Sequence, residues 1–397
     1  MSETVFVITI VMAFAAGLFM AWAIGAVAIG GGAFAPAVGA NVIPVQRAAY
    51  LLGIVGFAGA LVQGASVTET VGRGLVLGTS TTPLAASIAI LLSALLMALG
   101  AFGRYPIPAA FTVTGAMVGA GLALGGSPAW RLYGQFAALW VVAPVLVGAL
   151  SYAIARLLAW NRLLPRYSVT IIVAAVFLVF PLLEFPFLGP VDESHSLATA
   201  VAVWTPSLSG VLWVGVPVAF TVGGAALAYR TVLRHGERET NRRLLIWLGM
   251  LVAFSGAGNQ IGLAIGPLLP LLDSMSVSAS PVLVVASFVL VVGAWSGAPR
   301  LIEAVGREYA TLSLSRSVAA LVPSFLVAQV GILYGVPVSF NEIIISAIVG
   351  SGLAEGGRDE VRARKLALTV VAWVTSLVGA FIGTYGLVSL LASRGLT

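Results

Sequence analysis

An all-α, polytopic membrane fold is what this sequence predicts, and three observations predict it. Of its 397 residues, 60% are hydrophobic and only 9% charged, far from the balance of a soluble domain. Several apolar runs reach the roughly 20 residues that a helix needs to cross the hydrocarbon core. These runs of Ala, Leu, Val and Gly lack the two-residue alternation of an outer-membrane barrel, so the backbone must satisfy itself within helices.

In chain order, apolar runs lie near residues 4–24, 48–66, 82–103, 132–155, 168–190, 207–229, 244–258, 281–297, 317–335 and 366–392. Four further segments are apolar but rich in Gly and Pro, too broken for an ordinary span: 25–44, 105–126, 255–272 and 335–357. The stretch RTVLRHGERETNRR, Arg230 to Arg243, carries five arginines, and Arg156, Arg162 and Arg166 mark a second basic turn. Basic residues concentrate in short cytoplasmic loops, so both turns are assigned to the cytoplasm and the acidic loop Glu184 to His195 to the outside. The first run starts without a basic leader and continues into more apolar sequence, so no cleavable signal is expected.

The composition also excludes classes of chemistry. With no cysteine there are no disulfides, thiolate nucleophiles or thiolate metal sites. His195 and His235 fall in polar stretches, which leaves no imidazole in a span for a metal or a proton relay. The net charge of +6 rests on 19 Arg and the single Lys365 among 20 basic residues, and it reads as an orientation signal rather than a nucleic-acid surface. The triplet Gly30 to Gly32 lacks the GK[ST] of a nucleotide loop. No HExxH occurs, and Phe254-Ser255-Gly256 lacks the setting of an intramembrane serine nucleophile, so an enzyme is not expected.

Sliding the sequence against itself by 231 positions reveals a repeat. GAGLALGG (Gly119 to Gly126) lands on GSGLAEGG (Gly350 to Gly357), Pro106 on Pro337, Gly25-Ala26 on Gly256-Ala257, and AFAP (Ala33 to Pro36) on AIGP (Ala264 to Pro267). Glu69 to Arg73 matches Glu303 to Arg307 after a small insertion, and each pair has the four-residue spacing of a helical ion pair. The chain is therefore divided into a first repeat (1–160), linking spans with a basic cytoplasmic loop (161–243) and a second repeat (244–397), read as inverted. Interrupted segments at corresponding places in two halves point to a transport site at their interface, where half-helix N-termini meet an anion. The break in the second half is expected around Asn259 and Gln260.

These motifs resemble the signatures of the inorganic phosphate transporter (PiT) family. The paired broken segments resemble its GANDVANAIGP pattern, Gly335 to Phe340 (GVPVSF) its LPVSTTH motif, and Arg300 to Leu321 its linker IETVGKKITxLTPSRGFAAEL, with Ser315-Arg316 in place. The resemblance implies a secondary active transporter, a symporter of inorganic phosphate in the cytoplasmic membrane, with no cofactor beyond a coupling cation, proton or sodium. A homodimer is a further expectation. Alternatives are a permease for sulfate or another oxyanion, and a degenerate homologue without coupling.

This sequence departs from the family pattern. Where the family has Asn and Asp, the second copy keeps an amide and loses the acid at Asn259-Gln260, and the first reads Ala28-Ile29. The candidate substrate and ion ligands are Asn259, Gln260, Ser255, Ser339, Asn341 and Glu342, with Thr112 and Thr114 from the first half; no metal site is expected. Each has a plainer reading. Buried amides tie helices together for about 0.6 to 2 kcal/mol, and a span serine often bonds only its own helix. Glu342 is the sharpest candidate, because an acid between VPVSFN and IIISAIVG sits where charge is expensive and marks an ion or proton path.

Overall fold

The computed structural model describes residues 3–64, 68, 71, 75–79, 81–159, 165–185, 188–189, 195–334 and 336–395. Glu69, Arg73 and Arg162 lie outside them. Among the described residues, eight helices are long and apolar enough to cross a membrane, with shorter apolar helices at Ala109–Ala123, Arg166–Leu182 and Phe340–Ala354. Their lipid-facing positions carry bare hydrocarbon, such as Val141, Val145, Val371 and Ile382, while alanine, glycine and small polar residues fill the interior.

The first half opens with α1 (Glu3–Ala23), whose last turn widens into a π-helix over Ile24–Ala28 and then unwinds through residues 29–34 into the short α2 (Ala35–Gly39). α3 (Val45–Gln63) and α4 (Pro83–Phe102) follow. Arg104, at φ 61°, reverses the chain into an extended segment, Tyr105 to Pro108, that feeds the buried α5 (Ala109–Ala123). α6 (Trp130–Ala159) ends the half, and α7 (Pro165–Val179) and α8 (Leu197–Trp204) lead into α9 (Ser209–Ile265). The ends of the acidic loop form a small antiparallel pairing of Glu184–Phe185 with His195–Ser196.

Two expectations about α9 need correction. The basic stretch Arg230 to Arg243, read as a loop, is helical on both sides of a single break at Gly236 (φ 78°, ψ 167°). His235 therefore stands on a helix, although an exposed one. The break expected around Asn259 and Gln260 is also displaced: the helix runs unbroken through both to Ile265 and yields only at Gly266-Pro267. Proline, which lacks an N–H and clashes with the preceding turn, sets the stop. Glycine before it allowed close packing without unwinding.

After α10 (Leu269–Ser274) come α11 (Ala279–Ser296), α12 (Ala298–Glu308), α13 (Leu314–Leu333), a second extended segment at 336–339, α14 (Phe340–Gly356) and α15 (Ala363–Ser393). Helix starts keep the sequence offset: Pro83 and Leu314 differ by 231, as do Ala109 and Phe340. Packing follows it too, since α5 lies on α15 while α14 lies on α6. Helix crossings close on glycine. A Cβ on Gly25 would stand 2.0 Å from the Leu290 carbonyl oxygen, and one on Gly293 2.1 Å from that of Trp22, so α11 touches the end of α1 backbone to backbone.

Candidate functional site

The two extended segments and the short helices behind them converge in the protein interior. The second segment is held by the side chains that the sequence singled out. Asn259 Nδ2 donates to the Val336 carbonyl at 3.1 Å, and its Oδ1 accepts the Val338 N–H at 3.0 Å. Gln260 Nε2 donates to the Val338 carbonyl at 2.6 Å and to Asn259 Oδ1 at 2.8 Å. An amide side chain thus pairs with the extended backbone as a neighbouring strand would, which is what a buried segment with no ladder partner requires. Trp140 of α6 adds an indole N–H to the Pro337 carbonyl at 3.4 Å.

The segment ends at Ser339, the N-cap of α14, whose Oγ accepts the Glu342 N–H at 3.3 Å. Asn341 reaches across to the other half: its Nδ2 donates to the Val27 carbonyl in the π-helix and to the Ile107 carbonyl just ahead of α5, each at 3.2 Å. The starts of α5 and α14 therefore meet at Asn341. Pro108 caps α5 without any side-chain bond, so the first N–H groups of α5 take no partner from their own cap. Asn341 Oδ1 and Gln260 Oε1 are buried with no partner among the described residues. Glu342 is 6% exposed, and no cation pairs with it among the described residues.

Three candidates have a different setting. Ser255 is buried and accepts a hydrogen bond from Gln329 Nε2, a buried partner in α13 that the sequence reading missed. A lone Gln inside an apolar run was its only signal. Thr112 turns its hydroxyl back to the Pro108 and Ala109 carbonyls of its own helix, at 3.2 and 3.1 Å. Thr114 lines a groove of about 340 Å³ with Tyr133, Phe136, Trp140 and Phe381, its hydroxyl buried and without a partner.

Two helix N-termini that meet at Asn341, with the buried amides of Asn259 and Gln260 and the buried Glu342, form the kind of interrupted-helix arrangement found where transporters receive ions. Comparison with known proteins gives this arrangement a family. The model of the phosphate transporter family matches residues 30–383. The chain belongs to that family. Curated relatives match over most of this chain. The inorganic phosphate transporter 2-1 of Arabidopsis thaliana chloroplasts is 25% identical over 92% of this chain and 69% of its own. A Thermococcus kodakarensis protein provisionally named a phosphate permease is 26% identical over 92% of this chain and 95% of its own. A solved structure described as the sodium-dependent phosphate transporter has the same fold, with a TM-score of 0.80, 21% identity, and coverage of 97% of this chain and 99% of that one. The chain is thus a multi-pass membrane protein of a transporter family, not an enzyme.

Proposed function

We propose that this chain is a secondary active transporter that carries inorganic phosphate in symport with protons. The observation that carries the reading is the meeting of two buried helix N-termini, at Ala109 and Phe340, on either side of Asn341. The positive ends of two helix dipoles, one of them without a side-chain cap, attract an oxyanion without any basic side chain. Two unpartnered amide oxygens and the Glu342 carboxylate favour phosphate over sulfate. Phosphate near neutral pH still carries O–H groups to donate, whereas sulfate has none and would leave those acceptors facing like charge.

A buried carboxylate beside an anion needs a compensating positive charge, and the proton is the simplest one. Hard cations gather a full shell of oxygens. Here Asn259 Oδ1 already accepts two hydrogen bonds and the first-half counterparts, Ala28 and Ile29, offer no side-chain oxygen. Uptake into proteoliposomes under imposed proton or sodium gradients, with sulfate as competitor, tests the reading.

The halves run in opposite directions, which is the geometry of alternating access. Arg156 at the end of α6 donates to the Ala354 carbonyl near the end of α14 at 3.2 Å. Arg316 at the start of α13 pairs with Glu360 at 3.3 Å, just ahead of α15. Lys365 at the start of α15 donates to the Arg104 carbonyl just past α4 at 3.1 Å. One arginine-rich face, assigned to the cytoplasm, thus holds the ends of α4 and α6 and the starts of their counterparts α13 and α15. In this reading the segment from Tyr105 to Ala123 counts as a crossing, which makes the number of crossings before Gly236 odd, as inversion requires. Both chain termini fall outside.

A further inference from the structure

The two extended segments are mirror elements held by different chemistry. The segment at 336–339 is fastened from within by Asn259 and Gln260. Their counterparts, Ala28 and Ile29, cannot fasten Tyr105 to Pro108. That segment receives an indole N–H from Trp373 on the Pro106 carbonyl at 2.9 Å and the Asn341 amide on Ile107. Its cytoplasmic start is instead tied by charge. Glu308, the last residue of α12, takes Arg104 at 2.9 Å on one carboxylate oxygen and Lys365 at 3.0 Å on the other. The Lys365 ammonium also lies 3.8 Å from the centre of the Tyr105 ring.

This cluster has no twin. At the offset of 231, Arg104 corresponds to Gly335 and Lys365 to Gly134, and at the offset of 234 that aligns Glu303 with Glu69, Glu308 corresponds to Gly74. It joins three elements, α12, α15 and the end of α4, at the mouth by which the first segment enters the protein. Glu308 and Lys365 are only 26% and 16% exposed, so water screens them less than a surface pair. We infer that Glu308, through Arg104 and Lys365, is a positioning residue that latches the cytoplasmic gate, holding Tyr105 to Pro108 closed over the site at Ile107 and Asn341. Transport to the cytoplasm requires this ionic latch to part, while the outer gate opens by releasing amide-to-backbone bonds. The inference rests on the transporter reading above.

The chain's lack of cysteine allows a direct test. A reporter Ala110→Cys is introduced in the reconstituted full chain, and its modification by a membrane-impermeant thiol reagent is timed from each face. Glu308→Gln is expected to speed modification from the cytoplasmic face by roughly fivefold, the scale of one or two partly screened ion pairs, with no gain from outside. Glu308→Asp is expected to return the rate toward that of the parent. An unchanged rate, or an equal rise from both faces, overturns the latch. If Glu308→Gln fails to reach the membrane, Arg104→Gln and Lys365→Gln each remove one arm and carry the same expectations. Labelling needs no phosphate, so a parent that takes up no phosphate would sink the transport reading and leave this result standing on its own.

Discussion

Asn259 binds the chain around Val338 as a second backbone would, accepting the Val338 N–H at 3.0 Å while donating to Val336 two residues earlier. The residue thereby fixes where Ser339 and the N-terminus of α14 stand. Asn259→Ala strands a buried N–H and a buried carbonyl, at about 1 to 3 kcal/mol each. Phosphate uptake is expected to fall at least tenfold in a protein that still reaches the membrane. Uptake at the parental rate would show that the segment holds its place without the amide.

Ser339 gives a graded version of the same effect. Its Oγ caps α14, so Ser339→Ala is expected to lose about 1 kcal/mol of stability and to raise the KM for phosphate, while Ser339→Thr keeps both. Thermal unfolding in detergent and concentration-dependent uptake check the pair. Equal behaviour of the two variants would remove the cap from the account.

Helix approach on glycine makes a sharp packing prediction. A methyl group on Gly293 meets the Trp22 carbonyl oxygen at 2.1 Å, but one on Gly215 meets nothing within 4 Å. Gly293→Ala is expected to cost more than 2 kcal/mol or to prevent insertion, since backbone must shift. Gly215→Ala should be neutral in the same thermal unfolding assay. A stable Gly293→Ala would contradict the close crossing of α11 and α1.

Outside the membrane, the turn before α15 carries a pH signature. A hydrogen bond involving Thr311, joined by the Arg316 guanidinium, holds the Glu360 carboxyl below its ordinary value of 4.5. A carboxyl lowered on folding stabilises the fold above that value and ceases to as acid protonates it. Thermal stability should therefore decline below about pH 4.5, and Glu360→Gln should flatten part of that decline. An unaltered acid limb would show that Glu360 is not the group responsible.

The proposed inversion of the halves places both termini outside. Single cysteines at Glu3 and Ser393 are expected to react with an impermeant reagent only from outside, and one at Arg238 only from the cytoplasm. Cytoplasmic labelling of either terminus would contradict the inverted arrangement.

Much of this was legible in the sequence because lipid leaves the backbone few options. The apolar runs gave the helices, and Pro106 and Pro337 marked the two extended segments because proline cannot continue a helix ahead of them. What Asn259 and Gln260 do was not legible. Glycine around them suggested unwinding, but it served close packing against Gln63, Ile29 and Phe340, and the helix continued to Pro267. Their partners are carbonyls and an N–H 77 to 79 residues away, which carry no side-chain signature. Gln329 and Glu308 were missed for a similar reason, since each gains its meaning from a contact distant in the chain. Nor was the setting of Thr112 legible, since a threonine in the first turn of a helix has its own carbonyls within reach.

Phosphate uptake into proteoliposomes under separately imposed proton and sodium gradients, in the parent chain and in Glu342→Gln, tests the central claim most directly. Phosphate held between the N-termini of α5 and α14 and driven through Glu342 predicts accumulation under an inward proton gradient in the parent, and its loss in the variant. Uptake driven by sodium alone and indifferent to Glu342→Gln would contradict it.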